Sequence, residues 1–171
     1  TDQKTLLKHI EQIGVSVRCL PSRETLRFKN VYPSSNPNLR TQTILAIADP
    51  LTTDDLADIS ASIFHFGPLV AGDIEPTVFA ELAGRGTVAV DVQGMLRRRR
   101  QGKVTWNMTR EIRHMMRFVD VLKADADEAK FLTGCNSTRD ALTELGNLGP
   151  REILITTGSH GSYIFDSGKI W

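Results

Sequence analysis

EILITTGSHGSYIF, residues 152–165, holds two apolar runs divided by a pair of glycines. Ile153, Leu154 and Ile155 form a continuous run, the pattern of a strand covered on both faces, as in a parallel sheet under helices. The run ends in Thr156, Thr157 and Gly158, and a second apolar run follows at Tyr163, Ile164 and Phe165. Gly158 and Gly161 punctuate the gap, and glycine accepts positive φ and lets a ligand approach the backbone. Two readings stay open. One is a hairpin whose turn needs glycine. The other is a ligand loop, with the threonine hydroxyls at a strand end, where α/β sheets place ligands. The loop lacks the Gly-Lys-Ser/Thr end of a P-loop. A strand rather than a helix is expected after Gly161, which excludes a dinucleotide fingerprint.

Working back from this strand, helix and strand alternate. Helices are expected at Thr52/Thr53–Ile59, Glu75–Leu82, Thr109–Phe118, Asp125–Leu132 and Ser137–Leu145, with strands at Ser62–Phe66, Thr87–Val92 and Val119–Leu122. That rhythm argues for a parallel α/β sheet with right-handed crossovers. The first third differs. Leu6, Leu7, Ile10 and Ile13 lie at helical spacing before Gly14, and strands are expected at Val15–Leu20, Glu24–Tyr32 and Thr41–Ala48, with a turn cluster at Pro33–Asn38. A small β-rich excursion is therefore expected over about 15–48, with the α/β core over about 49–171.

The 171 residues suit one domain, and 40% hydrophobic and 24% charged residues are ordinary for a globular chain. A net charge of +1 gives no pull toward nucleic acid or a membrane surface, and no apolar run approaches the roughly 18 residues of a spanning helix. Cys19 and Cys135 match no metal spacing and are expected to be buried, reduced thiols of a cytoplasmic protein.

Three places offer chemistry. Asp91 ends the strand TVAVD, where it acts as a turn or capping carboxylate or faces a ligand; Gln93 and Arg97 follow with an amide and a guanidinium that can grip a phosphate in two parallel hydrogen bonds. Arg97–Arg100 is a run of four arginines, the usual composition of a solvated loop, from which Arg97 stands apart by its closeness to the strand end. Asp125 and Glu128 have capping-box spacing, and the same pair can serve as oxygen ligands for hydrated Mg²⁺ beside a phosphate. Ala71-Gly72-Asp73 imitates part of a Gly-Ala-Gly-Asp motif but lacks its first glycine, so Asp73 reads as a turn residue.

In this order, DVQGMLR (91–97), VLKADADEAKFLTG (121–134) and ILITTGSHGSYIF (153–165), preceded by HFGPLVAGDI (65–74), resemble the ribokinase-like PfkB carbohydrate kinases over most of the chain. The resemblance implies a ribokinase-like three-layer αβα sandwich with a mostly parallel sheet and a small β lid. It also implies transfer of the γ-phosphoryl of ATP, with Mg²⁺, to a hydroxyl of a sugar or sugar-like substrate. Thr156, Gly158 and Gly161 would lie along the nucleotide, Glu128 would act on Mg²⁺ through water, and Arg97 would contact substrate or phosphate. Asp125 stands where the family usually has asparagine. A homodimer through the lid is also in keeping with the resemblance.

The family's Gly-Ala-Gly-Asp motif, which supplies the aspartate base, is not found in residues 1–171, so no catalytic base is assigned here and it is expected beyond Trp171. With Thr1 already in a helical pattern and Trp171 near a strand start, the chain is expected to be the middle portion of a kinase, truncated at both ends and silent alone. The alternative is a naturally short, non-catalytic sugar- or nucleotide-binding protein of the same fold. An unrelated nucleotide-binding domain such as a dehydrogenase half is disfavoured by the missing glycine fingerprint.

Overall fold

The computed structural model describes residues 3–33 and 40–171. Helix α1 (Gln3–Gln12) leads into an extended segment, then strands β1 (Arg27–Val31) and β2 (Thr41–Ala46). A single 3₁₀ turn at Asp54–Leu56 precedes β3 (Ile63–Phe66), α2 (Pro76–Leu82), β4 (Thr87–Asp91) and α3 (Gln93–Leu96). Next come β5 (Arg97–Arg100), β6 (Lys103–Trp106), α4 (Arg110–Met115), β7 (Val121–Asp125), α5 (Ala126–Thr133) and α6 (Thr138–Gly146). The chain closes with β8 (Glu152–Thr156), β9 (Ser162–Asp166) and β10 (Lys169–Ile170). Among the described residues no helix is long and apolar enough to cross a membrane.

Six strands form the main sheet in the order β10-β9-β8-β7-β4-β3, with β3, β4, β7 and β8 parallel and β9 and β10 antiparallel. The expected α/β class with a mostly parallel sheet is therefore what the chain adopts. Alternate strand residues, Phe64, Val88, Val90, Leu122, Ala124, Ile153 and Ile155, are buried in one cluster with α2, α4, α5 and α6. A strand points successive side chains to opposite faces, so these buried residues define a single helix-covered face. The other face carries Ile63 and His65, exposed, and Ala89, Lys123 and Leu154, half-buried.

The expected helices and strands from residue 62 to 145 are present within a few residues of their expected limits. Caps set the helix ends: Thr109 accepts from the Ile112 amide, Ser137 from that of Asp140, and Asp125 and Glu128 form a complete capping box. The Gly158–Gly161 turn joins β8 to an antiparallel β9, so it is a hairpin.

Four expectations are corrected. Val15–Leu20 is no strand; it pairs with no strand among the described residues, and Val15 and Leu20 stay exposed. Only a 3₁₀ turn forms in place of a helix at Thr52–Ile59. Cys19, in that unpaired segment, is exposed and Cys135 half-buried, so the thiols are not both in the core. The four arginines are no loop: β5 pairs with β6 and joins a second, antiparallel sheet of order β1-β2-β6-β5. The small β unit thus draws on residues 97–106 as well as on 15–48. Within the expected turn cluster, residues 34–38 lie outside the described residues.

Candidate phosphate-binding site

The parallel strands end side by side. Register pairs Asp91 with Lys123 and Asp125 with Thr156, which lines up three of the sequence-predicted residues at the C-terminal edge of the sheet. Asp91 Oδ2 lies 2.9 Å from Lys123 Nζ, and Asp91 Oδ1 accepts from the Gln93 amide at 3.1 Å. The peptide then turns through α3 and delivers Arg97 back over this edge. Gly94 makes the turn feasible, because a Cβ at that position would lie 1.9 Å from the Pro68 carbonyl oxygen.

Arg97 is 7% exposed, yet its Nε has no acceptor, and among the described residues its guanidinium forms no ion pair. Burial lowers its pKa, as does the neighbouring Arg40, while Glu128, Asp91 and Asp125 pull the other way. Glu128 is fully buried. Its Oε2 accepts from the Asp125 amide at 2.8 Å, and Asp125 Oδ1 accepts from the Glu128 amide at 2.8 Å. Among the described residues Glu128 Oε1 has no partner. Burial raises the Glu128 carboxyl above the ordinary glutamate range, against the amide hydrogen bond from Asp125.

Among the described residues, Arg97 Nε and Glu128 Oε1 are buried and unpartnered within one charge cluster. Arg97 suits a phosphate oxygen. Asp125 and Glu128 suit a hydrated divalent cation, which needs few carboxylates and keeps its waters. Among the described residues no three His, Cys, Asp or Glu side chains converge to hold an ion directly.

The predicted residues of the hairpin turn sit further along the same edge. Thr156 Oγ1 is 3.5 Å from the Ala124 carbonyl; Gly161 O accepts from both the Thr157 amide and hydroxyl at 2.9 Å. Gly158 (φ 61°) and Gly161 (φ 95°) both hold positive φ. Asp73 Oδ2 accepts from the Leu69 and Val70 amides at 2.7 and 2.9 Å, the turn role read for it. Two residues of the cluster were not among the sequence candidates. Lys123 carried a signal, two positions before Asp125 on the same strand face. Arg40 carried none, since it comes near Arg97 only through the pairing of β2 with β6 and of β6 with β5 in the small sheet.

A family model described as pfkB family carbohydrate kinase matches residues 3–171. The chain belongs to the pfkB family. A search of curated proteins found no match to this pfkB chain. Among solved structures it is similar to a pyrophosphate-dependent kinase of the ribokinase family in a sulfate complex, at 28% identity and TM-score 0.89, covering 100% of this chain and 61% of the other. A pyrophosphate-dependent ribokinase-family kinase complexed with a pyrophosphate analogue and myo-inositol matches at 26% identity and TM-score 0.87, covering 100% and 60%. Ribokinase from Thermotoga maritima shares the fold at 18% identity and TM-score 0.68, covering 100% and 55%. The pfkB chain thus spans about three-fifths of the length of the first two structures.

Proposed function

We propose that this chain supplies the phosphoryl-donor site of a kinase that moves a phosphoryl group from a polyphosphate donor to a hydroxyl of a sugar or polyol. The observation that carries this reading is Arg97, buried beside Asp125 and Glu128 with no acceptor at its Nε among the described residues. A buried donor left unmade costs about 1–3 kcal/mol, and a phosphate oxygen arriving at Arg97 Nε removes that cost. Arg40, acting on Arg97, and Lys123, paired with Asp91, add positive charge to the same cluster. Asp125 and Glu128 would hold Mg²⁺ through water, where it would supply positive charge beside the donor phosphates. Phosphoryl transfer rests on positioning and electrostatic stabilisation, and these residues give the donor half of both. The substrate hydroxyl is deprotonated by an aspartate that this sequence does not assign.

ATP is the donor the family resemblance implies, with Thr156, Gly158 and Gly161 along the nucleotide. Pyrophosphate is a second reading, favoured by one observation: the neighbours at 26–28% identity over the whole chain are described as pyrophosphate-dependent. One of them holds myo-inositol, so a cyclic polyol joins the sugars as a candidate acceptor. A homodimer through the small sheet belongs to the same proposal.

The test takes the natural gene product that contains this sequence, with Mg²⁺ and either ATP or pyrophosphate, against myo-inositol, fructose and ribose. Phosphorylated product is followed by mass spectrometry. Product with ATP supports the first reading, and product with pyrophosphate alone supports the second. No phosphorylated acceptor with either donor across sugars and polyols would end the kinase proposal.

A further inference from the structure

We propose that a second cavity, behind β5 and apart from the donor site, binds a small molecule with an apolar body and a single anionic group. The cavity has a volume of about 350 Å³, within the roughly 300–1,000 Å³ of small-molecule pockets. Its walls are apolar: Val70 and Ala71 from the turn after β3, Phe79 from α2, Met95 from α3, and Ile112 and Met115 from α4. One cationic side chain lines it, Arg98.

Arg98 is the reason to expect an anion. Among the described residues its Nε is buried and has no acceptor. Glu111 also lines the cavity, within electrostatic reach, but forms no ion pair with Arg98 among the described residues. A buried donor left unmade is costly, so an apolar occupant alone fills the space and leaves that cost standing. A carboxylate removes it. A polyanion is disfavoured, because the walls are apolar and Glu111 repels further negative charge.

The cavity is distinct from the donor site. Arg97 and Arg98 are consecutive on β5, so their side chains leave opposite sides of the strand. Arg97 lies among Asp91, Asp125 and Glu128, none of which lines the cavity. The run of four arginines thus divides its members between two sites.

The experiment is a calorimetric titration of the protein with 2-naphthoate and with its neutral counterpart, 2-naphthylmethanol, each with and without saturating pyrophosphate. Expected is saturable one-to-one binding of the carboxylate, at least about tenfold tighter than the alcohol and unchanged by pyrophosphate. Arg98→Met should erase the preference for the carboxylate while the alcohol still binds. Equal affinity of the wild-type protein for both compounds would overturn the proposal, and that comparison needs no variant. So would displacement by pyrophosphate, or no saturation at millimolar concentration.

Discussion

A buried arginine without a partner is a cost that packing alone does not explain, and Arg97 and Glu128 each leave one polar atom in that state. A residue kept for stability loses stability when replaced; a residue kept for a ligand need not. Arg97→Met retains most of the buried stem volume and removes the desolvated charge. It is expected to leave stability unchanged or raise it by about 1–3 kcal/mol, while weakening pyrophosphate or ATP binding by at least about tenfold. Thermal melts and calorimetric titration read the two effects separately. A clear loss of stability with ligand binding intact would assign Arg97 a purely structural role. Asp49 behaves in the opposite sense. Its carboxylate accepts from Arg23 Nε and Nη2 and from the Arg23 amide, and these hold its pKa below the ordinary aspartate range. A depressed folded pKa contributes stability above the unfolded value and loses it as pH falls through the folded value. Asp49→Asn should therefore narrow the stability gap to wild type as pH drops from neutral into the acid range. A gap of constant size between pH 7 and pH 3 would contradict this; urea midpoints across that range measure it.

At the scale of elements, two glycines test different kinds of constraint. Gly94 allows α3 to lie directly on the Pro68–Leu69 backbone, where a Cβ would meet Pro68 O at 1.9 Å. Gly94→Ala should cost at least about 3 kcal/mol, the upper end of overpacking, because backbone rather than a flexible side chain must give way. A melting temperature within a few degrees of wild type would show that α3 shifts freely. Gly161, at φ 95° and ψ −144°, lies where an L side chain is strained although nothing blocks it. Gly161→Ala should cost about 1–3 kcal/mol through backbone strain alone, read by the same melts. These two positions also show what the sequence made legible. The glycines of 158–161 announced a turn because strand-like runs flank them, and the parallel strands were readable because their apolar runs are uninterrupted. Gly94 gave no such notice: its partner, Pro68, is distant in sequence. The strand β5 was illegible for a related reason. Four arginines have the composition of a loop, and only pairing with Lys103–Trp106 makes them a strand. Conversely, Val15–Leu20 has strand composition and no partner, so composition misled in both directions. At the donor site, Asp91, Asp125 and Glu128 were readable from strand ends and cap spacing, whereas Arg40 depends on the pairing of β2 with β6 and β5, distant in sequence.

For the molecule as a whole, the small sheet poses the remaining physical problem. One of its faces holds the buried Ile44 and Ala46; the other turns Leu45 and Ile47 outward at 48% and 39% exposure. Val31 joins that outer face, because register pairs it with Thr41 and the side chains of β2 alternate. Its two edges are unequal. The β5 edge carries arginines, and like charges there oppose pairing with a second copy. The outer face also carries Lys29, Lys103 and Arg100, which register places with Thr43 on the side of Leu45; in the proposed homodimer the apolar Val31, Leu45 and Ile47 are the expected contact, and these cations would weaken it. Burying Leu45 and Ile47 contributes about 1.5–3 kcal/mol for each fully covered side chain. The variant carrying Leu45→Lys and Ile47→Lys should therefore sediment as a monomer at concentrations where the wild-type protein is dimeric. A wild-type monomer at high concentration would refute the dimer outright. An equally dimeric lysine variant would move the contact elsewhere, to the open face of the main sheet, where Ile63 and Ile164 are 62% and 47% exposed. Association by that second route would show that the main sheet, and not the lid, carries the stronger unmet demand for burial.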